Sequence, residues 1–291
     1  MVGLPLPRIG RLAGSIYVVP APTIDSMTLP VQSPVSTDTD IPQSSDSGSR
    51  PRAKNARSGL PPQYSKRAVL GIWAAAALPM GLLAWVVAPA IAGDGPDLAL
   101  ALIGCLTVGL AWQFLLILIL NKFSLRNLWL QRPSTPDGRR GGRLWLWVVP
   151  FVIGFGLLQF VRVNLPKVAS HDFGTILGST AGHDLLRGNW ALFAVIVVMM
   201  VFNTVLGEEL LFRGLLLPRM NKAFGKADWL VNGLLMGLYH LHQPWGMPTS
   251  VMTGLLTAYP TKRFRSSWMG IIVHSSQSVV IGTAVLILVL G

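Results

Sequence analysis

Long apolar runs separated by short polar stretches occupy most of the chain after Arg67. A helix needs about 20 apolar residues to cross the hydrocarbon core of a bilayer, where only helices and closed barrels satisfy their own backbone groups. Charged residues make up 12% of the chain, about half the share of a soluble domain. The sequence therefore predicts an all-α, polytopic transmembrane helical bundle of about seven spans. The predicted spans are 68–92, 98–120, 144–163, 190–217, 228–242, 249–260 and 267–290.

Residues 1–66 differ in composition from the rest of the chain. They are rich in Pro, Ser, Thr and Asp and show neither a helical nor a strand period. Such a segment buries too little apolar area to offset the entropy lost on ordering. We expect a disordered cytoplasmic tail at 1–66 and a membrane domain at 67–291. A translation start at Met27 would shorten this tail.

The basic residues predict how the chain sits in the membrane. With the amino terminus in the cytoplasm, the inside segments carry 21 of the 24 Lys and Arg residues. Such an excess is typical of cytoplasmic loops. The net charge of +12 is spread in short blocks between apolar runs, which favours contact with a lipid bilayer and gives no sign of a nucleic-acid partner. We expect an integral protein of a plasma or inner membrane.

Glutamate occurs only at Glu208 and Glu209, side by side within the fourth apolar run. An acidic side chain at the bilayer centre costs about 2.5–3.5 kcal/mol on insertion scales, so such residues usually have a function or a partner. Arg213 lies four residues after Glu209, the favourable order for a helical ion pair. This pairing gives Glu209 a structural role and leaves Glu208, about 100° round the helix, as the candidate functional residue.

Two histidines fall at a depth similar to that of Glu208. His240 is expected near the end of the fifth span and His274 inside the seventh. Helical rise places all three residues roughly 10–18 Å from the basic ends of their helices. We therefore expect them to meet in one polar pocket that opens towards the basic, cytoplasmic face.

The remaining polar candidates have weaker signals. Gln277 and Ser278 follow His274 by three and four residues, so they share its helix face. They could donate hydrogen bonds to an oxyanion or simply satisfy contacts between helices. His242 is predicted to be a helix-end residue, and His171 and His183 to be solvated loop residues.

Three segments resemble the CAAX protease and bacteriocin-processing family of membrane endopeptidases. Glu208–Arg213 matches the family's first motif, EExxFR, completely. The second motif, phenylalanine followed four positions later by histidine, is kept at His240, with Met236 in place of the phenylalanine. In the third motif, His274 is present and Ser278 stands where the best-studied members have asparagine. The resemblance covers about residues 190–290, the expected catalytic core.

The resemblance implies an intramembrane endopeptidase. Glu208 with one histidine would activate a water that attacks the scissile carbonyl, and the other histidine, helped by Ser278 or Gln277, would stabilise the oxyanion. No cofactor is firmly implied. Glu208, His240 and His274 form a zinc ligand set, but the soluble HExxH signature is absent, so zinc-dependent and metal-free mechanisms both stay open.

The expected partners are the bilayer and a peptide or protein substrate at the membrane. Prenylated CAAX proteins, peptide leaders and membrane-anchored regulators all fit. Two other functions remain alternatives. The same three residues could form the proton relay of a transporter, although no inverted repeat is evident. The protein could also be a catalytically silent immunity or scaffold protein.

Overall fold

A computed structural model describes residues 61–93, 97–161, 163 and 165–291, and the described chain is all-α. Short 3-10 turns lie at Gly142–Trp147, Ala169–His171, Gly225–Ala227 and Pro244–Gly246. The helices are α1 Lys66–Ala92, α2 Leu98–Leu120, α3 Val148–Leu158, α4 Phe173–Leu177, α5 Thr180–Leu186, α6 Trp190–Arg219, α7 Asn221–Phe224, α8 Asp228–Leu238, α9 Met247–Phe264 and α10 Ser267–Leu290.

Four of these helices, α1, α2, α6 and α10, are long and apolar enough to cross a membrane. The segment Gly142–Leu158 is apolar but shorter. The predicted fold class is therefore confirmed, whereas the count of seven spans is not. The helix α8 has 11 residues, which rise only roughly 16 Å. It needs protein neighbours to shield its ends.

The outer surface of the long helices is apolar. At least 60% of the residue surface is exposed at Leu78, Val108, Val280 and Leu290. Exposure of such apolar side chains to water would be unfavourable. A continuous belt of exposed apolar side chains marks a surface that contacts lipid or another protein. Together with the four candidate spans, this belt makes the chain an integral membrane protein.

The last residues of the predicted tail, 63–65, contact the helices. The Tyr64 amide donates to the Arg219 carbonyl at 2.8 Å, and Gln63 Nε2 donates to the Pro218 carbonyl at 2.9 Å. The Ser65 side chain caps α1 by accepting from the Ala68 amide. The last few residues of the predicted tail are therefore packed against the end of α6, and residues 1–60 lie outside the described residues.

Helices α8 and α9 pack against each other through glycines. A Cβ at Gly237 would lie 2.6 Å from the Val251 Cα, and a Cβ at Gly254 would lie 2.6 Å from the Gly233 carbonyl oxygen. Such distances leave no room for a side chain, and small residues are what allow two helix backbones to approach this closely. The contact fixes where α8 ends, and with it the turn that carries His240.

The second half of α6 winds as a π-helix from Phe202 to Leu216. This form is rare in proteins and occurs most often at functional sites. Eleven of its 15 residues are buried. It brings Glu208, Glu209 and Arg213 into the centre of the bundle, where α8, α9 and α10 surround them.

Candidate active site

Glu208 lies in the middle of the π-helical segment and is 1% exposed. One of its carboxylate oxygens, Oε2, has no hydrogen-bond partner among the described residues. A buried polar atom without a partner is unfavourable, and in native proteins it often marks a water or ligand position. The environment of Glu208 therefore differs from that of an ordinary structural carboxylate.

Two histidines flank this carboxylate. His240 Nε2 lies 3.9 Å from Glu208 Oε1, and His274 Nε2 lies 4.0 Å from Glu208 Oε2. Both distances exceed hydrogen-bond range, so neither ring satisfies the carboxylate directly. The structure thus brings together the three residues that the sequence predicted to meet.

The other ring nitrogens fix how each histidine is oriented. His240 Nδ1 lies 3.0 Å from the Met236 carbonyl oxygen, and His274 Nδ1 lies 3.2 Å from Glu209 Oε1. A carbonyl and a carboxylate accept hydrogen bonds, so each Nδ1 carries the proton. In the neutral ring, Nε2 is then a lone-pair base that faces Glu208.

Glu209 forms the predicted ion pair with Arg213, and the pair is structural. Arg213 Nε lies 3.4 Å from Glu209 Oε2, and both side chains are fully buried. Arg213 also donates to the Gly254 carbonyl at 2.9 Å and to the Thr257 hydroxyl. Through these contacts it joins α6 to α9. Because Glu209 also contacts His274 Nδ1, the ion pair positions one histidine of the site.

Helix α10 approaches the glutamates closely at a glycine. A Cβ at Gly270 would lie 2.8 Å from the Thr261 hydroxyl oxygen and 3.1 Å from Arg213 Cγ. The next turn of α10 carries His274, which is 6% exposed. The glycine therefore lets α10 lie near enough to the π-helix for His274 to reach both carboxylates.

Gln277 and Ser278 line the same cavity as Glu208. The Ser278 hydroxyl forms a 2.5 Å hydrogen bond with the Thr204 hydroxyl, and Gln277 Nε2 donates to Gln159 Oε1 at 2.9 Å. Both side chains therefore have partners within the bundle. Their role as oxyanion donors stays a prediction.

His240 and His242 lie beyond the helix that was predicted to contain them. Helix α8 ends at Leu238, so both residues occupy the turn that follows. The close packing of α8 on α9 ends there, and the chain must turn towards the start of α9. His242 also faces the cavity, which the sequence did not indicate.

The cavity at Glu208 has a volume of about 310 Å³ and extends away from the basic loops. Its far end is lined by Gln159, Phe173, Leu177 and Val285. On the other side of Glu208, towards the basic face, four side chains are completely buried. They are Leu211, Phe212, Leu215 and Leu216. The lining runs towards the end of the bundle opposite the basic loops, and the predicted opening towards the basic face stays a prediction.

The connection before α4 covers the open end of the cavity. Asp172 accepts from the Trp245 indole at 2.9 Å and from the Thr175 amide at 2.8 Å. His171 is 6% exposed, and its ring stacks on Trp85 with centroids 4.2 Å apart. The prediction that His171 is solvated is wrong, because an aromatic ring of α1 lies directly beneath this connection. His183 is exposed, as predicted, but it lies in α5 and not in a loop.

Several residues of the cavity were missed by sequence reasoning. Asn203 lies five residues before Glu208 and lines the same cavity, because a π-helix bonds residues five apart. Tyr239 is fully buried, and its hydroxyl accepts from Gln113 Nε2. The α-helical period does not place Asn203 on the same face as Glu208. Gln113 stands out in the sequence only as a lone polar residue in an apolar span.

The spacing of the three central residues does not match a metal centre. Two imidazoles and a carboxylate are ligands that zinc prefers, at about 2.0–2.2 Å from the ion. Among the described residues, however, no group of three His, Cys, Asp or Glu side chains is arranged to hold a metal ion. The residues as placed do not fit zinc.

Fold and site together define a class: a polytopic helical membrane protein with a buried glutamate between two histidines. Residues 189–280 match the family model described as Rce1-like, type II CAAX prenyl endopeptidase. This match over residues 189–280 supports the CAAX protease family and, in general terms, a CAAX-type intramembrane endopeptidase. The comparison with curated proteins finds no match. The comparison with solved structures finds none either.

Proposed function

We propose that the chain hydrolyses a peptide bond at the membrane with a water activated by Glu208. The observation that carries the proposal is the buried carboxylate with a free oxygen, which lies within 4.0 Å of two histidine Nε2 atoms in a cavity. A water bound in this space could hydrogen-bond to the carboxylate and to one imidazole at once. General bases at such distances act through one positioned water.

The two histidines are suited to different parts of the reaction. His274 lies between the Glu208 and Glu209 carboxylates, with Nδ1 3.2 Å from Glu209 Oε1 and Nε2 4.0 Å from Glu208 Oε2. A carboxylate behind the ring stabilises the imidazolium in serine protease triads. We assign to protonated His274 the hydrogen bond to the developing oxyanion. His240, backed only by a neutral carbonyl, shares the attacking water with Glu208.

The proposed step balances without a further reactant. The water oxygen bonds to the scissile carbonyl carbon while one water proton passes to Glu208. Collapse of the tetrahedral intermediate breaks the carbon–nitrogen bond, and the departing amine takes up the proton held by Glu208. The first products are a carboxylic acid and an amine, the acid proton then passes to the amine to give a carboxylate and an ammonium group, and the enzyme returns to its starting state.

The proposed mechanism is metal-free, because the three residues as spaced do not fit a zinc ion. Glu208 and His274 provide the base and the oxyanion donor from the chain itself. Preorganised donors of this kind in a water-poor site stabilise developing charge strongly.

Peptide cleavage by the purified chain tests the function. Candidate substrates are membrane peptides with a leader sequence or a prenylated carboxyl terminus, with products identified by mass spectrometry. We expect one defined cleavage site, and a strong loss of turnover for both His240→Gln and His274→Gln. If both variants cleave at the wild-type rate, the site assignment is wrong. If wild type instead moves protons across vesicle membranes and cleaves nothing, the chain is a transporter.

A further inference from the structure

A second cavity, with a volume of about 620 Å³, lies at the basic end of the bundle. Four of its nine lining residues are basic and, among the described residues that line it, none is acidic. The four are Lys222, Lys262, Arg263 and Arg265. The ammonium group of Lys262 forms an ion pair with the buried carboxylate of Asp228. The other three give the cavity a net positive charge.

The walls of this cavity are held by hydrogen bonds between distant segments. Gln63 Nε2 donates to the Pro218 carbonyl at 2.9 Å, and its Oε1 accepts from the Lys222 amide at 3.2 Å. Gln131 Nε2 donates to the Arg265 carbonyl at 2.9 Å. The backbones that carry the cations are therefore fixed, while the side chains of Lys222 and Arg265 are exposed. Neither side chain has a hydrogen-bond or ion-pair partner among the described residues.

Arg265 adopts a backbone conformation that favours glycine. Its φ is 49°, in the left-handed region, at the end of α9. Glycine is usual at this helix position because it has no Cβ to clash. An arginine held there points to a use for its charge, since strained positions tend to cluster at ligand sites.

The cavity lies where phospholipid headgroups are found. Arg265 comes two residues before the span α10, and Lys222 comes three residues after α6 ends. Trp129 also lines the cavity, and tryptophan is enriched at the membrane interface. Basic residues at this level attract anionic lipids. We propose that the cavity binds the phosphate-bearing headgroup of an anionic phospholipid.

Lipid binding to the full chain in detergent tests this site by native mass spectrometry. The probes are phosphatidylglycerol and phosphatidylcholine with identical acyl chains. The test variant is Lys222→Gln/Arg265→Gln. The control is Arg140→Gln/Arg143→Gln, which removes the same charge from exposed residues that do not line this cavity. We expect wild type and control to prefer phosphatidylglycerol, and the test variant to bind it about 30-fold more weakly.

Four outcomes would overturn the proposal. The first is equal binding of the two lipids by wild type. The second is an equal loss of binding in both double variants, which would assign the effect to the whole basic face. The third is full competition by inorganic phosphate at the lipid's own concentration, which would make the ligand a free phosphate. The fourth is a rise in binding when residues 1–60, which include four aspartates, are removed, because the tail would then be the occupant.

Discussion

Replacing Arg213 by alanine should destabilise the protein far more than changes at Glu208. Arg213 is fully buried, pairs with Glu209, and donates to the Gly254 carbonyl and the Thr257 hydroxyl. Removing one partner of a buried ion pair costs about 3–5 kcal/mol, because the other charge is left uncompensated. His274 Nδ1 still faces Glu209 at 3.2 Å, so we expect the lower end, about 3 kcal/mol. That is a large share of a typical stability of about 5–15 kcal/mol.

Unfolding in mixed micelles of dodecyl maltoside and SDS, followed by circular dichroism, measures this loss. The matched control is Glu209→Gln/Arg213→Met, which removes both charges and should recover much of the stability. Membrane yield of the three proteins gives a second readout. Equal stability of Arg213→Ala and wild type would refute the argument, and so would a double variant that is less stable than Arg213→Ala.

Three further predictions concern the cover of the cavity, the tail and the metal. Burial raises the pKa of Asp172, but hydrogen bonds from Thr175 and Trp245 and the charge of Lys167 lower it more, so the net pKa is below its ordinary value. A carboxylate with a lowered pKa stabilises the fold above its unfolded pKa of about 3.9 and loses this effect as the pH falls through the folded value. Relative to the intrinsic exchange rate at each pH, the amide protection of 169–177 should therefore fall below about pH 4 in wild type and be low at pH 6 in Asp172→Asn; unchanged protection in the variant would refute this. A chain that starts at Pro61 should keep at least half of the wild-type turnover, and a complete loss would give the tail a role in activity. Turnover should be unchanged in 1,10-phenanthroline, and a loss that zinc restores would contradict the metal-free mechanism.

The sequence was informative where a residue was unusual for its surroundings. Glu208 and Glu209 are the only glutamates of the chain and lie in an apolar run, so their importance could be predicted without a structure. The ion pair between Glu209 and Arg213 could be predicted from their spacing. Residues four apart lie on one face of an α-helix, and they also lie near one another in the π-helix that forms.

Other features depend on contacts between distant segments and could not be predicted. The number of spans was uncertain because α8 is short and is shielded by α9 through Gly233, Gly237 and Gly254. The direction in which the cavity extends depends on how side chains of several helices pack, and a leucine such as Leu211 or Leu215 looks the same in the sequence whether it lines a cavity or fills the bundle. Asn203 was missed because its position near Glu208 arises only from the π-helix.

The turnover of Glu208→Gln, compared with wild type, is the direct test of Glu208 as the general base. Glutamine has nearly the same shape as glutamate but cannot accept the proton of water. We expect a loss of turnover of about 10²–10⁴-fold, the usual contribution of a general base. We also expect a melting temperature close to that of wild type, because both imidazoles lie beyond hydrogen-bond range of the Glu208 carboxylate. A folded Glu208→Gln protein that cleaves the same peptide at the wild-type rate would show that Glu208 is not the general base.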